Sequence, residues 1–110
     1  MANSISREKL SEDLVTRIQN LGKRIRIARG RRKLRQEDLA EKTGLGLSTI
    51  KKVEAGELTT SIGAYAQALW VLGLDREIDL IADPGLDREG LAYLPEQKRV
   101  VPKRTVDNDF

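Results

Sequence analysis

The sequence predicts an all-α fold. Apolar residues recur at every third or fourth position in several segments, which is the spacing of one helix face. Two of these segments follow a serine that suits a helix N-cap, Ser11 and Ser61. No run of β-branched residues alternates with polar ones, so strands are not expected. We therefore expect five or six helices within residues 11–82.

The first predicted helix begins after Ser11, where two acidic residues favour the positive end of a helix dipole. Gly22 lies inside this segment and leaves open a break in the helix, and Gly30 marks its expected end. The apolar face of this helix consists of Leu10, Leu14, Ile18, Leu21, Ile25 and Ala28.

Four further helical segments are predicted, at residues 36–42, 47–54, 62–72 and 75–82. The chain has few aromatic residues, so its core has to be built from Leu, Ile, Val and Ala, together with Trp70. The core is small.

The remaining chain shows weaker patterns. Residues 87–94 are long enough for a turn or two of helix, and residues 96–110 are charged and read as a flexible tail. We divide the chain into an N-terminal extension (1–17), a central domain (18–82) and a C-terminal segment with the tail (83–110).

Composition excludes several classes of chemistry. The 110 residues include no cysteine and no histidine, which removes disulfides, thiolate nucleophiles, Cys/His zinc sites and imidazole catalysis. No phosphate loop, nucleophile or metal-ligand spacing is recognisable, so we expect no enzyme, catalytic residue, metal or cofactor. No signal peptide or membrane span is evident, which predicts a cytoplasmic protein.

The charge is unevenly distributed along the chain. Residues 1–60 carry a net charge of +6 and residues 61–110 a net charge of −3. Within residues 23–35 there are eight basic side chains and no acidic one. Such a run is either a solvated face or a footprint for phosphate groups, and its segregation from the acidic half favours the second interpretation.

Residues 36–54 predict two short helices joined by a tight turn. Leu39 and Ala40 in the first helix face Ile50 and Val53 in the second, and Gly44 accommodates the positive φ that the corner needs. This spacing is typical of a helix-turn-helix, whose second helix enters the DNA major groove. A simple αα-hairpin in a small bundle remains the alternative on this pattern alone.

A longer set of motifs resembles a known family. Leu21-Gly22-Lys23-Arg24-Ile25-Arg26, Leu34-Arg35-Gln36-Glu37-Asp38-Leu39-Ala40 and Ile50-Lys51-Lys52-Val53-Glu54-Ala55-Gly56 are similar to the Xre/Cro, lambda-repressor-like DNA-binding proteins. The resemblance covers about residues 18–82. It implies a five-helix DNA-binding domain of a transcriptional regulator, acting as a homodimer on double-stranded DNA with an inverted-repeat operator.

The resemblance also implies the DNA-binding residues. Gln36 matches the glutamine that holds a backbone phosphate, and Arg35 stands where relatives often have a Ser or Thr cap, which suggests a phosphate contact instead. Leu47 replaces a polar residue of many relatives, so it either touches a thymine methyl or packs in the core. The full DNA-binding set is Arg35, Gln36, Gly46, Leu47, Ser48, Thr49, Lys51 and Lys52.

The acidic C-terminal part is less suited to DNA. A short regulator with such an ending resembles the HipB-type antitoxins, which implies a HipA-like kinase toxin as partner and repression of the shared operon. The predicted partner-binding residues are Leu74, Ile78, Ile81, Tyr93 and Leu94. The alternative for Trp70, Leu74, Ile78 and Ile81 is a two-fold dimer interface or closure of the small core. The N-terminal extension, with Leu10, Leu14 and Ile18, is another candidate for a dimer interface.

Two alternatives remain from the sequence. One is a stand-alone phage-type or housekeeping regulator without a toxin partner. The other is a membrane-surface or coiled-coil protein built on residues 10–28, which lack an aromatic anchor and a sustained heptad pattern. No membrane contact is expected.

Overall fold

The computed structural model describes residues 9–95, and within them the secondary structure is helical, without strands. The all-α prediction is therefore confirmed. Within the described residues no helix is both long and apolar enough to cross a bilayer. The loose N-terminus expected before residue 9 and the tail expected at 96–110 lie outside the described residues.

Four α-helices precede residue 75, and the internal contacts divide the chain into two units, one ending at Asp75 and one beginning at Arg76. In the first unit α1 packs on α3, and α2 packs on both α3 and α4. The helices are α1 (Glu12–Arg31), α2 (Gln36–Thr43), α3 (Leu47–Ala55) and α4 (Ile62–Val71).

The predicted starts of α1 and α4 and the predicted turn at Gly44 are confirmed, and α1 extends one residue past its expected end at Gly30. The Ser11 hydroxyl accepts a hydrogen bond from the Leu14 amide at 3.1 Å, and the Ser61 hydroxyl accepts one from the Ala64 amide at 3.1 Å. Each satisfies one amide that a helix start leaves without a partner. Gly44 ends α2 with φ of 75°, in the left-handed region that glycine adopts without a steric penalty.

The core of the first unit is aliphatic, as predicted, with one correction. Ile25, Leu39, Ile50 and Val53 are fully buried. The prediction that Trp70 belongs to the core is wrong, because its side chain is 62% exposed. The buried aromatic residue is instead Tyr65 on α4, which together with Ala64, Ala68 and Leu72 covers α2 and α3; the core is completed by Ala28 and Ala40.

Gly22 does not break α1, which is continuous over twenty residues. Gly22 lies where α1 crosses the end of α3, and a Cβ atom there would come within 2.6 Å of the Val53 carbonyl oxygen and 2.7 Å of the Gly56 amide nitrogen. The missing side chain therefore permits close packing of two backbones rather than a bend.

The second unit is described over residues 76–95. The segment expected as a helix at 75–82 is a 3-10 helix, Asp75–Leu80, which begins at the last residue of the first unit. A second 3-10 helix, Pro84–Leu86, and the short α-helix α5 (Arg88–Leu91) follow. These short helices begin at side-chain caps, since Asp83 accepts from Gly85 N at 3.1 Å and Asp87 from Gly90 N at 2.9 Å.

The buried Tyr65 side chain is expected to make the protein less stable at alkaline pH. Burial, with a smaller contribution from the Glu57 charge, raises the pKa of Tyr65 to about 12, and its hydroxyl donates to the Glu57 carbonyl oxygen at 2.8 Å. Between pH 10 and 12 the unfolded phenol ionises while the folded one stays neutral, so stability is present below pH 10 and is lost above it.

We expect the free energy of unfolding to fall by about 1 kcal/mol more in the wild type than in Tyr65→Phe between pH 9 and pH 11.5, which is about 1.4 kcal/mol per pKa unit reduced for solvent screening at the partly buried hydroxyl. Urea unfolding at the two pH values measures this difference. Equal losses in the two proteins would contradict it.

Candidate nucleic-acid interface

The turn between α2 and α3 is fixed by a buried threonine. The Thr43 hydroxyl donates to the Leu39 carbonyl oxygen at 2.8 Å and accepts from the Leu45 amide at 3.2 Å. Because Thr43 is 7% exposed, these bonds satisfy a polar group inside the core and hold the corner in one conformation. Gly44, with its positive φ, completes the corner. The direction in which α3 leaves α2 is thereby set.

Helix α3 has one buried side and one exposed side. Ile50, Val53 and Glu54 are buried. Leu47, one helical turn before Ile50, is half-buried and packs against the core, so it has the packing role that the sequence left open. The exposed side, which we call the α3 outer face, consists of Ser48, Lys51, Lys52 and Ala55.

The N-terminus of α3 is open towards solvent. Its N-cap, Gly46, has no side chain to accept from the first amides, and the first turn contains no acidic residue. The positive end of the helix dipole and the free amides of the first turn therefore face outwards, where they favour an anion. Thr49 is half-buried beside this end.

Glu54 ties α1, α2 and α3 together. Its Oε2 accepts from Arg29 Nε at 2.6 Å, and its Oε1 accepts from Arg29 Nη2 at 3.0 Å and from Gln36 Nε2 at 3.0 Å. Arg29 Nη1 also donates to the Leu34 carbonyl oxygen at 2.8 Å. The hydrogen bonds with Glu54 raise the pKa of the Arg29 guanidinium, against the effect of burial.

This cluster fixes the position of α3 on the other two helices. The side chains are 14% exposed for Arg29 and 4% for Glu54, so the pair is largely shielded from water. Gln36, expected at a phosphate, uses one of its two amide hydrogens on Glu54 and keeps the other.

Arg35 is engaged within the chain. Its backbone amide donates to Asp38 Oδ2 at 2.8 Å, and its guanidinium donates to the same carboxylate at 3.2 and 3.0 Å. These bonds, the side-chain one foremost, hold the pKa of Asp38 at about 2. The Arg35 side chain is 75% exposed, so its remaining donors face solvent at the start of α2.

A recess of about 530 Å³ lies between α1 and the two helices of the motif. The exposed cations Arg26 and Lys51 both line it, although they lie 25 positions apart in the sequence. Arg26 belongs to the basic run at 23–35 and is not among the DNA-binding residues predicted from the sequence. The sequence signal for its position is its spacing from Arg29, because residues one helical turn apart lie on the same side of α1. The other lining residues are Arg29, Leu34, Arg35, Gln36, Glu37, Glu54 and Ala55.

The predicted partner-binding residues fall in both units. Leu74 packs against the core of the first unit. The other four lie in the second unit, where Ile81 is 67% and Tyr93 86% exposed, while Ile78 is half-buried and Leu94 is 41% exposed. Within residues 9–95 no group of three or more acidic side chains is placed to hold a metal ion.

Two helices joined by a fixed corner, the second with an exposed basic side and an open N-terminus, define a helix-turn-helix unit. A model of the family described as helix-turn-helix domain matches residues 20–80, and the chain belongs to that family.

A curated relative matches the chain over 70 residues. The chain is 41% identical over 70 residues to the uncharacterized HTH-type transcriptional regulator y4mF of Sinorhizobium fredii, covering 64% of this chain and 88% of that protein. No solved structure matches the chain at a significant level.

Proposed function

We propose that the chain is a sequence-specific DNA-binding transcriptional repressor that has no catalytic activity. The α3 outer face carries the proposal, because it presents Lys51, Lys52 and the Ser48 hydroxyl beside an uncapped helix N-terminus. Lysine reads guanine N7 and O6 in the major groove, and helix amides hold phosphate. The family membership and the similarity to an HTH-type transcriptional regulator support the same function.

The recess supports a division of roles. Arg26 and Lys51 line it together with Arg35 and Gln36. An arginine on α1 and the start of α2 suit the phosphates flanking the groove, while α3 suits the bases. Glu37 also lines the recess, and its negative charge repels a phosphate from that part of the surface.

Salt dependence tests the binding. If about six phosphates are neutralised, the logarithm of the affinity for duplex DNA falls with the logarithm of the salt concentration with a slope of about −5. Fluorescence anisotropy of a labelled duplex from the region upstream of the gene measures it. Lys51→Ala is expected to weaken binding by about 1–3 kcal/mol and to relax specificity where it reads a base.

Lys9→Ala is the matched control, because Lys9 is exposed, precedes α1 and lies outside both the recess and the α3 outer face. It removes the same charge and should leave affinity nearly unchanged. Absent or salt-independent binding of the wild type would refute the proposal.

The finer part of the proposal is an antitoxin that, as a homodimer on an inverted repeat, neutralises a HipA-like kinase and represses the shared operon. It rests on the resemblance and on the composition of the second unit. Residues 76–95 carry five acidic and two basic side chains and expose Ile81, Leu86 and Tyr93, which suits a protein partner better than DNA.

The identity of the neighbouring gene tests whether the chain is an antitoxin. A kinase-like product that co-purifies with the chain, and is lost on Ile81→Asp with Tyr93→Asp, is the expected result. A neighbour unrelated to kinases would favour the stand-alone regulator instead.

A further inference from the structure

The chain contains one long segment without charge. Over a third of all residues are charged, yet residues 58–74 include no Asp, Glu, Lys or Arg. Helix α4 occupies ten of these seventeen positions. A helix on the surface of a small domain normally carries charged residues on its outer side, so the composition of α4 is unusual for its position.

Helix α4 is apolar on both sides. Its inner side, with Ala64, Tyr65 and Ala68, is buried in the core. On the opposite side Ile62 is 74% exposed and Trp70 is 62% exposed. Ala66 lies one helical turn from each of them and is half-buried, and Gly63 is exposed beside them. We call Ile62, Gly63, Ala66 and Trp70 the α4 outer face. Single exposed apolar residues are ordinary, but a continuous apolar row on one helix marks a contact surface.

We propose that the α4 outer face is the surface on which a second copy of this chain docks, α4 against α4. In a two-fold interface each residue set meets its own copy, so like charges are a liability and a neutral face is favoured. Gly63 and Ala66 are small enough for two helices to approach closely, and Trp70 is the residue type most enriched among those that dominate binding energy. The absence of cations from residues 58–74 disfavours DNA or an anionic membrane as the occupant.

The inference rests in part on the proposed function, because a dimer supplies the two α3 helices that two half-sites need. The inner side of α4 faces α2 and α3. A copy on the outer side therefore leaves the α3 outer face uncovered. The α4 outer face alone is smaller than the roughly 800 Å² per partner of a standard interface, so we expect a dimer that dissociates on dilution.

Analytical ultracentrifugation of the full chain without DNA, at about 1 to 200 μM, tests the proposal. The expected result is a mass that rises with concentration towards twice the 12.3 kDa of the chain. Trp70→Gln and Ile62→Gln should each weaken the dimer at least about ten-fold while keeping the helical circular dichroism spectrum. Ile27→Gln, which changes an exposed isoleucine on α1, should not.

The single tryptophan of the chain gives a second readout, since its fluorescence maximum should move to shorter wavelength as the dimer forms. A monomer at all concentrations, a wild-type dimer whose tryptophan fluorescence does not shift, or a dimer that persists undiminished in both variants would overturn the proposal.

DNA binding is measured separately. Trp70→Gln should still bind a short random duplex at low salt, because the α3 outer face is intact. A wild type that dimerises but binds no DNA would refute the proposed function and leave this inference standing.

Discussion

Gly22→Ala is expected to lower the free energy of unfolding by about 2 kcal/mol or more. The added methyl group would lie 2.6 Å from the Val53 carbonyl oxygen, 2.7 Å from the Glu54 carbonyl oxygen and 2.7 Å from the Gly56 amide nitrogen. All three are backbone atoms, so no rotamer change relieves the overlap and α1 has to move away from α3. Overpacking costs about 1–3 kcal/mol and occasionally more, and an overlap with three backbone atoms lies at the upper end of that range. About 2 kcal/mol therefore remains after subtraction of the roughly 1 kcal/mol that alanine gains over glycine in a helix.

Gly30→Ala is the matched control for this change. Gly30 is in the same helix, and a Cβ atom there would meet nothing within 4 Å. This variant should be as stable as the wild type or up to about 1 kcal/mol more stable. Thermal unfolding measures both, and Gly22→Ala should melt about 10 °C lower or more, at roughly 4–8 °C per kcal/mol. Equal melting temperatures for the two variants would show that the α1–α3 crossing is looser than described.

Glu54→Ala is expected to cost about 3–5 kcal/mol, the usual effect of removing one partner of a buried ion pair. The change leaves the Arg29 guanidinium, which is 14% exposed, without its carboxylate. It also removes the acceptor of Gln36 Nε2. Much of the loss comes from the uncompensated charge and not from the net strength of the pair.

A double-mutant cycle separates the two contributions. Arg29→Met combined with Glu54→Leu should be far less destabilising than the sum of the single changes, because no charge is then left buried. Urea unfolding of the four proteins gives the coupling free energy. Additive losses, or a single Glu54→Ala variant within about 0.5 kcal/mol of the wild type, would contradict the role of this cluster.

Much of the first unit followed from local sequence signals. The starts of α1 and α4 were predictable because Ser11 and Ser61 each cap the helix that directly follows them. The turn at Gly44 was predictable because a positive φ selects glycine. The burial of Ile50 and Val53 followed from helical spacing. These features depend on neighbours within a few residues.

Features that depend on distant contacts were not predictable in the same way. Gly22 has the local signature of a helix breaker, and only the approach of α3 shows why it is there. Trp70 has the composition of a core residue, but α4 turns its alanines and Tyr65 inwards. The Arg29–Glu54 pair joins residues 25 positions apart, and neither segment alone contains a signal that predicts it.

Some candidate DNA-binding residues could be assigned from the local motif, and others depend on contacts between distant helices. Lys51 and Lys52 were assigned from the motif, and both are exposed on α3. Arg26 lines the recess together with Lys51 only because α1 lies alongside α2 and α3. Leu47 packs inwards, which leaves the lysines and Ser48 as the side chains of α3 that face solvent near its start.

An NMR titration of the ¹⁵N-labelled chain with duplex DNA tests the central claim most directly. We predict that the amide resonances of Gly46, Ser48, Lys51 and Lys52 shift first and furthest, with those of Arg35 and Gln36 at the start of α2. Residues 76–95 should remain nearly unchanged. Spectra that do not respond to DNA at low salt, or shifts confined to α4 and the second unit, would contradict it.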